Sequence, residues 1–344
     1  MRRILLIVLG IGLLAGIAAG WILFGSGTGF SGRKATLYIS SKAATREAVL
    51  DSLRKNDIVS NVSAFELLAG RLGYWNNIRP GKYEFAKGTG LLRIVRTLRN
   101  GSQTPVKLVV TKYRTVGDFA EEVGRKFECD SSDMLAFLRS ADSLRAFNAT
   151  PETALTLILP DTYTYYWNNG PRQILRKLAD VSAGYWTRAR ADKAKAQGLT
   201  PVEAYTLASI VEEETNAQAE KGTIASVYLN RLRKDMKLQA DPTAKYAVGD
   251  FSIKRVLQVH TAVASPYNTY YVKGLPPGPI CTPQRKTLDA VLDAPETKYF
   301  FFVANPEKPG THLFTETYGE HLTNARAYHD TLNQRSRRST NNSR

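Results

Sequence analysis

Three consecutive glutamates, Glu212, Glu213 and Glu214, follow the apolar stretch Leu207 to Val211 and precede Thr215. A carboxyl group sunk into such surroundings resists ionisation, so its pKa rises, and a glutamate with a raised pKa serves as a general acid near neutral pH. The three separate if the segment is a helix turning about 100° per residue. Glu214 then falls in the arc of Leu207, Ile210 and Val211 and is deeply placed, whereas Glu212 lies beside Ala204, Tyr205 and Ala208. Glu213 sits between Thr206 and Ser209 on the most polar side, which predicts a solvated, dispensable residue. No charged side chain stands between Glu203 and Glu212, so most of this helix is expected to be covered. The wheel does not choose among the three, and an acidic cluster on a helix is most often a solvated face.

Other chemistries lack their residues. His260, His312, His321 and His329 show no HExxH or other metal spacing, and Cys129 and Cys281 alone cannot make a structural zinc site. No metal and no cofactor is expected. No GxSxG elbow, Walker A loop or GxGxxG follows a strand, so nucleotide and hydrolase-triad readings lack support. A single disulfide would suit an oxidising compartment, but the cysteine spacing does not argue for one. Downstream of the glutamates lie LQADPTAKY, Leu238 to Tyr246, and SPYNTYYVKGLPPGPICTP, Ser265 to Pro283. The stiff turn Leu275 to Pro279 follows Asn268, Thr269 and three tyrosines, an arrangement that holds polar side chains at low entropic cost.

The elements that must position these residues read as α+β. Thr200 as N-cap, Pro201 at the first helical position and Glu203 completing a capping box start the glutamate helix. A second helix over Ala219 to Arg233 and a fully buried strand over Tyr299 to Val303 follow. Earlier in the chain, Leu37 to Ile39 and Lys82 to Phe85 read as strands, with helices from Thr45, from a Ser63/Glu66 capping box, and over Leu91 to Arg99. Val106 to Val110 is a further strand, and Thr115 caps a helix over Val116 to Lys126. The run LPDTYTYYW, 159–167, is dense in aromatics, either core or a platform for sugar rings.

The 344 residues carry 47 Lys+Arg against 31 Asp+Glu, a net charge of +16 that favours anionic partners. The uncharged run from Ile4 to Phe24 behind Arg2 and Arg3 is long enough to span a bilayer. Trp21 to Phe24 extend it beyond a signal-peptide core, so it reads as a retained anchor with the N-terminus cytoplasmic and the remainder outside. That location argues against a nucleic-acid partner, and no stacking motif of a known module appears. The expected organisation is 1–25 cytoplasmic tip and transmembrane helix, 26–34 flexible linker, 35–112 a small α+β module, 113–334 a larger α+β domain, and 335–344 a disordered tail.

In order along the chain, LPDTY at 159, ASIVEEET at 208, NRLR at 230, LQADPT at 238, PYNTY at 266 and GLPPGPI at 274 resemble the YceG-like family of endolytic murein transglycosylases. The resemblance covers about residues 35 to 330. It implies a single membrane anchor, a LysM-like module over 35–112 with a glycan-binding role, and a lytic transglycosylase domain. Peptidoglycan strands and the cell membrane are then the partners, with peptidoglycan synthases as candidate neighbours. The first glutamate of the ASIVExE pattern is implied as catalytic, which maps to Glu212, and Glu214 matches a second recurring glutamate; since the two lie about 200° apart on a helix, Glu214 reads as a supporting residue that fixes the helix and does not share a proton with Glu212. Gln239, Tyr267 and Asn268 are candidates for orienting sugars or supporting oxocarbenium-like charge, with Tyr246 and Thr269 as further ones. His312 and His321 read as structural. Glu213 stands where lysine is common and Gln284 where glycine is common, which bears on loop details. Such enzymes manage with one carboxylate, because the muramyl C6 hydroxyl attacks in place of water and leaves a 1,6-anhydro end. A water-using muramidase and an inactive glycan-binding scaffold are the alternatives.

Overall fold

The computed structural model describes residues 25–341 throughout and only scattered positions between 4 and 20. The span expected over Ile4 to Phe24 therefore lies largely outside the described residues. Among those described, no helix is long and apolar enough to cross a membrane. The chain divides into two compact units, each a mixture of helix and strand. The first holds residues up to Leu108 with two returning segments, Val123–Asp130 and Thr164–Gly170, and the second holds Val109–Glu122, Ser131–Tyr163 and Pro171–Arg344. A single cut near residue 112 misses these returns, because tertiary contacts and not chain order assign them.

The first unit runs β1 (Lys34–Ile39), α1 (Arg46–Lys55), α2 (Val62–Arg71), β2 (Gly81–Ala86) and α3 (Leu91–Asn100). The two strands pair antiparallel, from Lys34 opposite Ala86 to Ile39 opposite Gly81. Alternation along β1 buries Leu37 and Ile39, which join Leu53, Phe65, Tyr83 and Ile94 in one core. Thr45 caps α1 as expected, but α2 is capped by Asn61, whose side chain accepts from the Ala64 N–H at 2.9 Å, and not by Ser63. The expected flexible linker is docked. Gly27 donates to the Thr89 carbonyl at 3.1 Å and accepts from Ser60 at 2.9 Å, and a Cβ on Gly27 would lie 2.5 Å from the Leu91 nitrogen. Glycine here serves close backbone packing and not flexibility.

Beyond it come β3 (Val106–Val110), α4 (Val116–Lys126), α5 (Ser131–Arg139), α6 (Ala141–Arg145) and β4 (Asp161–Tyr165). Then follow α7 (Pro171–Tyr185), α8 (Arg188–Ala196), α9 (Pro201–Glu214), α10 (Lys221–Arg233), α11 (Asp241–Val248), α12 (Gln258–Thr261) and α13 (Arg285–Leu292). The chain closes with a hairpin, β5 (Phe301–Ala304) on β6 (His312–Thr315), and α14 (Tyr318–Asn341). Strand β5 is only partly buried along its length, so the fully buried strand expected there is corrected. Helix α14 continues through most of the segment expected to be a disordered tail, since neither proline nor glycine interrupts it after Gly319.

Helix α9 is the axis of the second unit. Its capping box forms as the sequence dictates, with Thr200 accepting from the Glu203 N–H and Glu203 accepting from the Thr200 N–H. Every residue from Ala204 to Glu212 is buried, which a helix with no exposed face requires of its sequence. Tyr205, Leu207, Ile210 and Val211 pack with Tyr228 of α10 and Leu288 of α13. The Pro/Gly loop is fastened to this helix by the Ile280 N–H, which donates to Ser209 Oγ at 3.0 Å. At Gly278 a Cβ would lie 1.9 Å from the Glu152 carbonyl oxygen, so only glycine fits that approach. Cys129 and Cys281 are free thiols.

Candidate active site

The three glutamates end α9 in three different environments. Glu212 is 7% exposed and meets a buried lysine: Lys221 Nζ donates to its Oε2 at 2.7 Å. Thr287 Oγ1 also donates to Glu212 Oε2, and Lys221 donates to that hydroxyl at 2.7 Å. With α10 supplying Lys221 and α13 supplying Thr287, the cluster ties three helices together. It closes off the carboxylate. Glu213 is not solvated as expected: Lys112 Nζ lies 2.8 Å and Arg114 Nη2 3.0 Å from its carboxylate. Burial would raise its pKa, but the hydrogen bonds from Lys112 and Arg114 outweigh that and hold it below the usual range.

Glu214 faces a cavity of about 440 Å³ lined also by Tyr228, Arg231, Gln239, Asp241, Tyr270 and His312, while Glu213 borders only a far smaller pocket beside Arg114 and Tyr246. Burial pushes its pKa up to about 7, opposed by the hydrogen bond from the Tyr228 hydroxyl and assisted by the charge of Asp241. Tyr228 OH donates to Oε1 of Glu214, an acceptor contact that fixes the carboxyl and leaves its other oxygen uncommitted to that bond. The helix wheel placed Glu214 on the apolar side correctly, but the deep position is a cavity wall and not a sealed core.

The rest of the cavity is built by long-range contacts. Arg231, 8% exposed, donates to the carbonyls of Leu238 at 2.7 Å and Phe300 at 2.7 Å, so its guanidinium holds the loop before α11 against β5. In that loop Gln239 adopts φ 51°, a left-handed conformation that costs a non-glycine residue of order 1 kcal/mol. Its N–H donates to the Thr269 carbonyl at 3.1 Å, and the side chain joins the cavity. Asp241 Oδ1 accepts from Tyr270 OH at 2.6 Å. On β6, His312 is gripped twice by Glu220, whose Oε1 accepts the backbone N–H at 2.9 Å while Oε2 lies 2.9 Å from Nδ1. His321 also lines the cavity, stacked on Phe301 with centroids 5.4 Å apart.

Of the expected sugar-orienting residues, only Gln239 reaches this cavity. Asn268 is fully buried, and its Nδ2 donates to the carbonyls of Val263 at 2.8 Å and Thr261 at 3.0 Å, which folds its own loop. Thr269 is equally buried, with Oγ1 accepting from the Ala240 N–H at 3.0 Å and lying 2.7 Å from Thr243 Oγ1. Both are scaffolding that sets Gln239 and Tyr270. Tyr246 and Tyr267 pack against each other with centroids 4.8 Å apart and planes tilted by 41°, and Tyr246 lines a separate small pocket with Arg114, Glu213 and Phe251. Tyr228, Arg231, Asp241, Tyr270 and His312 were the residues sequence reasoning passed over as site groups. Their signal was present in part, since Arg231 lies in NRLR and Asp241 in LQADPT.

The model of the YceG-like family matches residues 37–327. The chain is 27% identical over 289 residues to a Bacillus subtilis (strain 168) protein named endolytic murein transglycosylase, covering 80% of this chain and 79% of that protein. A protein of the same name from Streptococcus pneumoniae serotype 2 (strain D39 / NCTC 7466) is 34% identical over 115 residues, covering 32% of this chain and 21% of that protein. A crystal structure of a yceG-like protein from Listeria monocytogenes is similar with a TM-score of 0.56 at 27% identity, covering 85% of this chain and 99% of that one.

Proposed function

This chain belongs to the YceG-like family, and from that premise we propose that it is a peptidoglycan lytic transglycosylase whose proton-transfer group is Glu214. The observation that carries the assignment is the contrast within α9: Glu214 borders a cavity with its pKa near 7, while Glu212 is sealed against Lys221. This reading departs from the expectation that Glu212 is the acid, and the contrast between the two sites is what supports the departure.

In this reading Glu214 protonates the glycosidic oxygen between N-acetylmuramic acid and N-acetylglucosamine, and the bond from that oxygen to C1 breaks. The resulting carboxylate takes the proton of the muramyl C6 hydroxyl, O6 bonds to C1, and Glu214 is protonated again. One glutamate suffices and no water is consumed. A pKa near ambient pH suits a group that must give and then take a proton. Asp241, held by Tyr270, supplies negative charge beside an oxocarbenium-like centre, and Gln239 supplies hydrogen bonds to the sugar.

Asp241 also gives a water-using muramidase the second carboxylate it would need. Mass spectrometry of the released ends decides between them: anhydro ends, lighter by one water, support the transglycosylase, and reducing ends sink it. Cleavage that survives Glu214→Gln would remove Glu214 from the chemistry. The same reading takes 4–24 as a single membrane span with a cytoplasmic N-terminus and the enzyme outside, and the first unit as a LysM-like module. It also makes the cuts endolytic, within nascent strands beside peptidoglycan synthases.

A further inference from the structure

The Glu214 cavity holds a donor that proton transfer does not use. Arg231 carries five N–H groups in a fixed plane and accepts nothing. Its Nε donates to the Phe300 carbonyl at 2.7 Å, and Nη1 donates to the carbonyls of Leu238 at 2.7 Å and Lys237 at 3.3 Å and to Gln239 Oε1 at 3.4 Å. The guanidinium also lies over the Phe301 ring, 5.2 Å from its centroid. These contacts fix the plane and leave Nη2 over. Among the described residues Nη2 has no hydrogen-bond partner, yet the packing does not seal it from solvent. Since Arg231 is 92% covered and lines the cavity, the cavity is where Nη2 opens.

Gln239 supplies a second donor beside the first. Because an arginine only donates, the Gln239 amide must turn its oxygen toward Nη1, and its NH2 group is left for something else. Among the described residues Nε2 has no hydrogen-bond partner either. Its backbone is held at φ 51°, where glycine would be free of strain, so the fold tolerates a side chain here at some cost. Burial disfavours the charge on Arg231 and lowers its pKa, and an acceptor arriving at Nη2 would offset that penalty.

We propose that Arg231 Nη2 and Gln239 Nε2 form a donor fork that takes the lactyl carbonyl oxygen of the muramyl residue and so tells that sugar from its N-acetylglucosamine neighbour. The two sugars alternate along the strand and share their acetamido groups. They differ at O3, where only muramic acid carries a lactyl ether, ending in a free carboxylate or in an amide to a stem peptide. An enzyme that cuts one of the two alternating bonds must read that difference, and a site built of donors rejects a sugar that brings no acceptor. Both forms of the lactyl group present a carbonyl oxygen, and the carboxylate adds charge to the bond from Arg231. The choice of ligand rests on the transglycosylase reading; the fork itself rests on the contacts of Arg231 and Gln239.

Calorimetric titration of the full-length Glu214→Gln protein tests the assignment with three ligands: a peptide-free oligomer of alternating muramyl and glucosaminyl residues, the same oligomer with its lactyl carboxyls reduced to alcohols, and the oligomer bearing stem peptides. Adding Gln239→Gly, which the left-handed backbone accommodates, should weaken binding of the first by about tenfold and leave the reduced oligomer unaffected. Arg231→Lys should act in the same direction and more strongly, with thermal unfolding followed because its loop contacts are lost; Gln239→Gly carries the test if that variant does not fold. Weakening of the peptide-bearing oligomer as well supports the fork with an amide carbonyl in it, and weakening of the peptide-free one alone supports it with a carboxylate. Equal weakening of the native and reduced oligomers overturns the lactyl assignment. No weakening of either by Gln239→Gly overturns the fork and leaves the enzyme reading intact. A parent protein that binds these oligomers and cuts none overturns the enzyme reading alone, and binding of none overturns both.

Discussion

Glu212 and Glu214 are two residues apart on one helix, and they occupy opposite kinds of site. Around Glu212 the protein supplies a cation and a hydroxyl from two other helices and excludes solvent. Around Glu214 it supplies one phenol, keeps the nearest arginine committed to carbonyls, and leaves a cavity. The first arrangement uses a carboxylate to hold helices together; the second leaves a carboxyl free to exchange a proton with something that enters. Burial alone does not make a general acid, because what matters is whether a counter-charge accompanies it.

The sharpest way to break the comparison is to neutralise each glutamate in turn. Glu214→Gln should lower strand cleavage by about a thousandfold or more while the protein stays folded, read by product analysis with circular dichroism as control. Glu212→Gln should do the reverse. It strands Lys221 without its partner, and a buried ion pair broken on one side costs about 3 to 5 kcal/mol. That is a fall of roughly 10 °C in Tm, with activity per folded molecule largely retained. Adding Lys221→Met should recover much of the loss. A Glu212→Gln protein that is stable but inactive would return the chemistry to Glu212.

Proton linkage sharpens the same contrast. In the folded state Glu214 holds its proton up to about 7 against an ordinary value of 4.5. The folded state therefore has its full advantage below 4.5 and loses it as pH rises to about 7, by at most about 3 kcal/mol. Glu214→Gln lacks this penalty, so urea midpoints should show it gaining on the parent protein between about pH 5 and about pH 8. Over the upper part of that range, kcat/KM of the parent should fall about tenfold per pH unit above 7, since the acid must carry its proton. The smallest effect should come from Tyr228→Phe. Losing the donor removes what opposes the raised pKa, so the alkaline limb should move upward while the rate falls about tenfold.

Much of the scaffold was legible. The Thr200, Pro201 and Glu203 start of α9, the Thr45 cap and the β1 alternation are local patterns whose hydrogen bonds close within a few residues, so local sequence suffices to specify them. Gly25 to Arg33 misled because glycine serves equally for flexibility and for close packing, and only the backbone of Leu91 and Val59 distinguishes the two. Asn268 and Thr269 misled for a related reason. A polar residue in a rigid loop satisfies its own backbone as readily as it meets a ligand, and here both are turned inward.

By itself the sequence determined that one helix would be covered over most of its surface, that it would end in three glutamates, and that its surrounding motifs belong to a single family. It also determined that Glu214 lies on the apolar side, because helical geometry fixes direction from spacing alone. What lies in that direction was decided only by the tertiary structure. Thr287 reaches Glu212 from 75 residues away, while residues from α10, α11, β5 and β6 leave a cavity before Glu214. A carboxylate's role depends on charge and solvent within a few ångströms, and those neighbours arrive from parts of the chain that no local pattern connects.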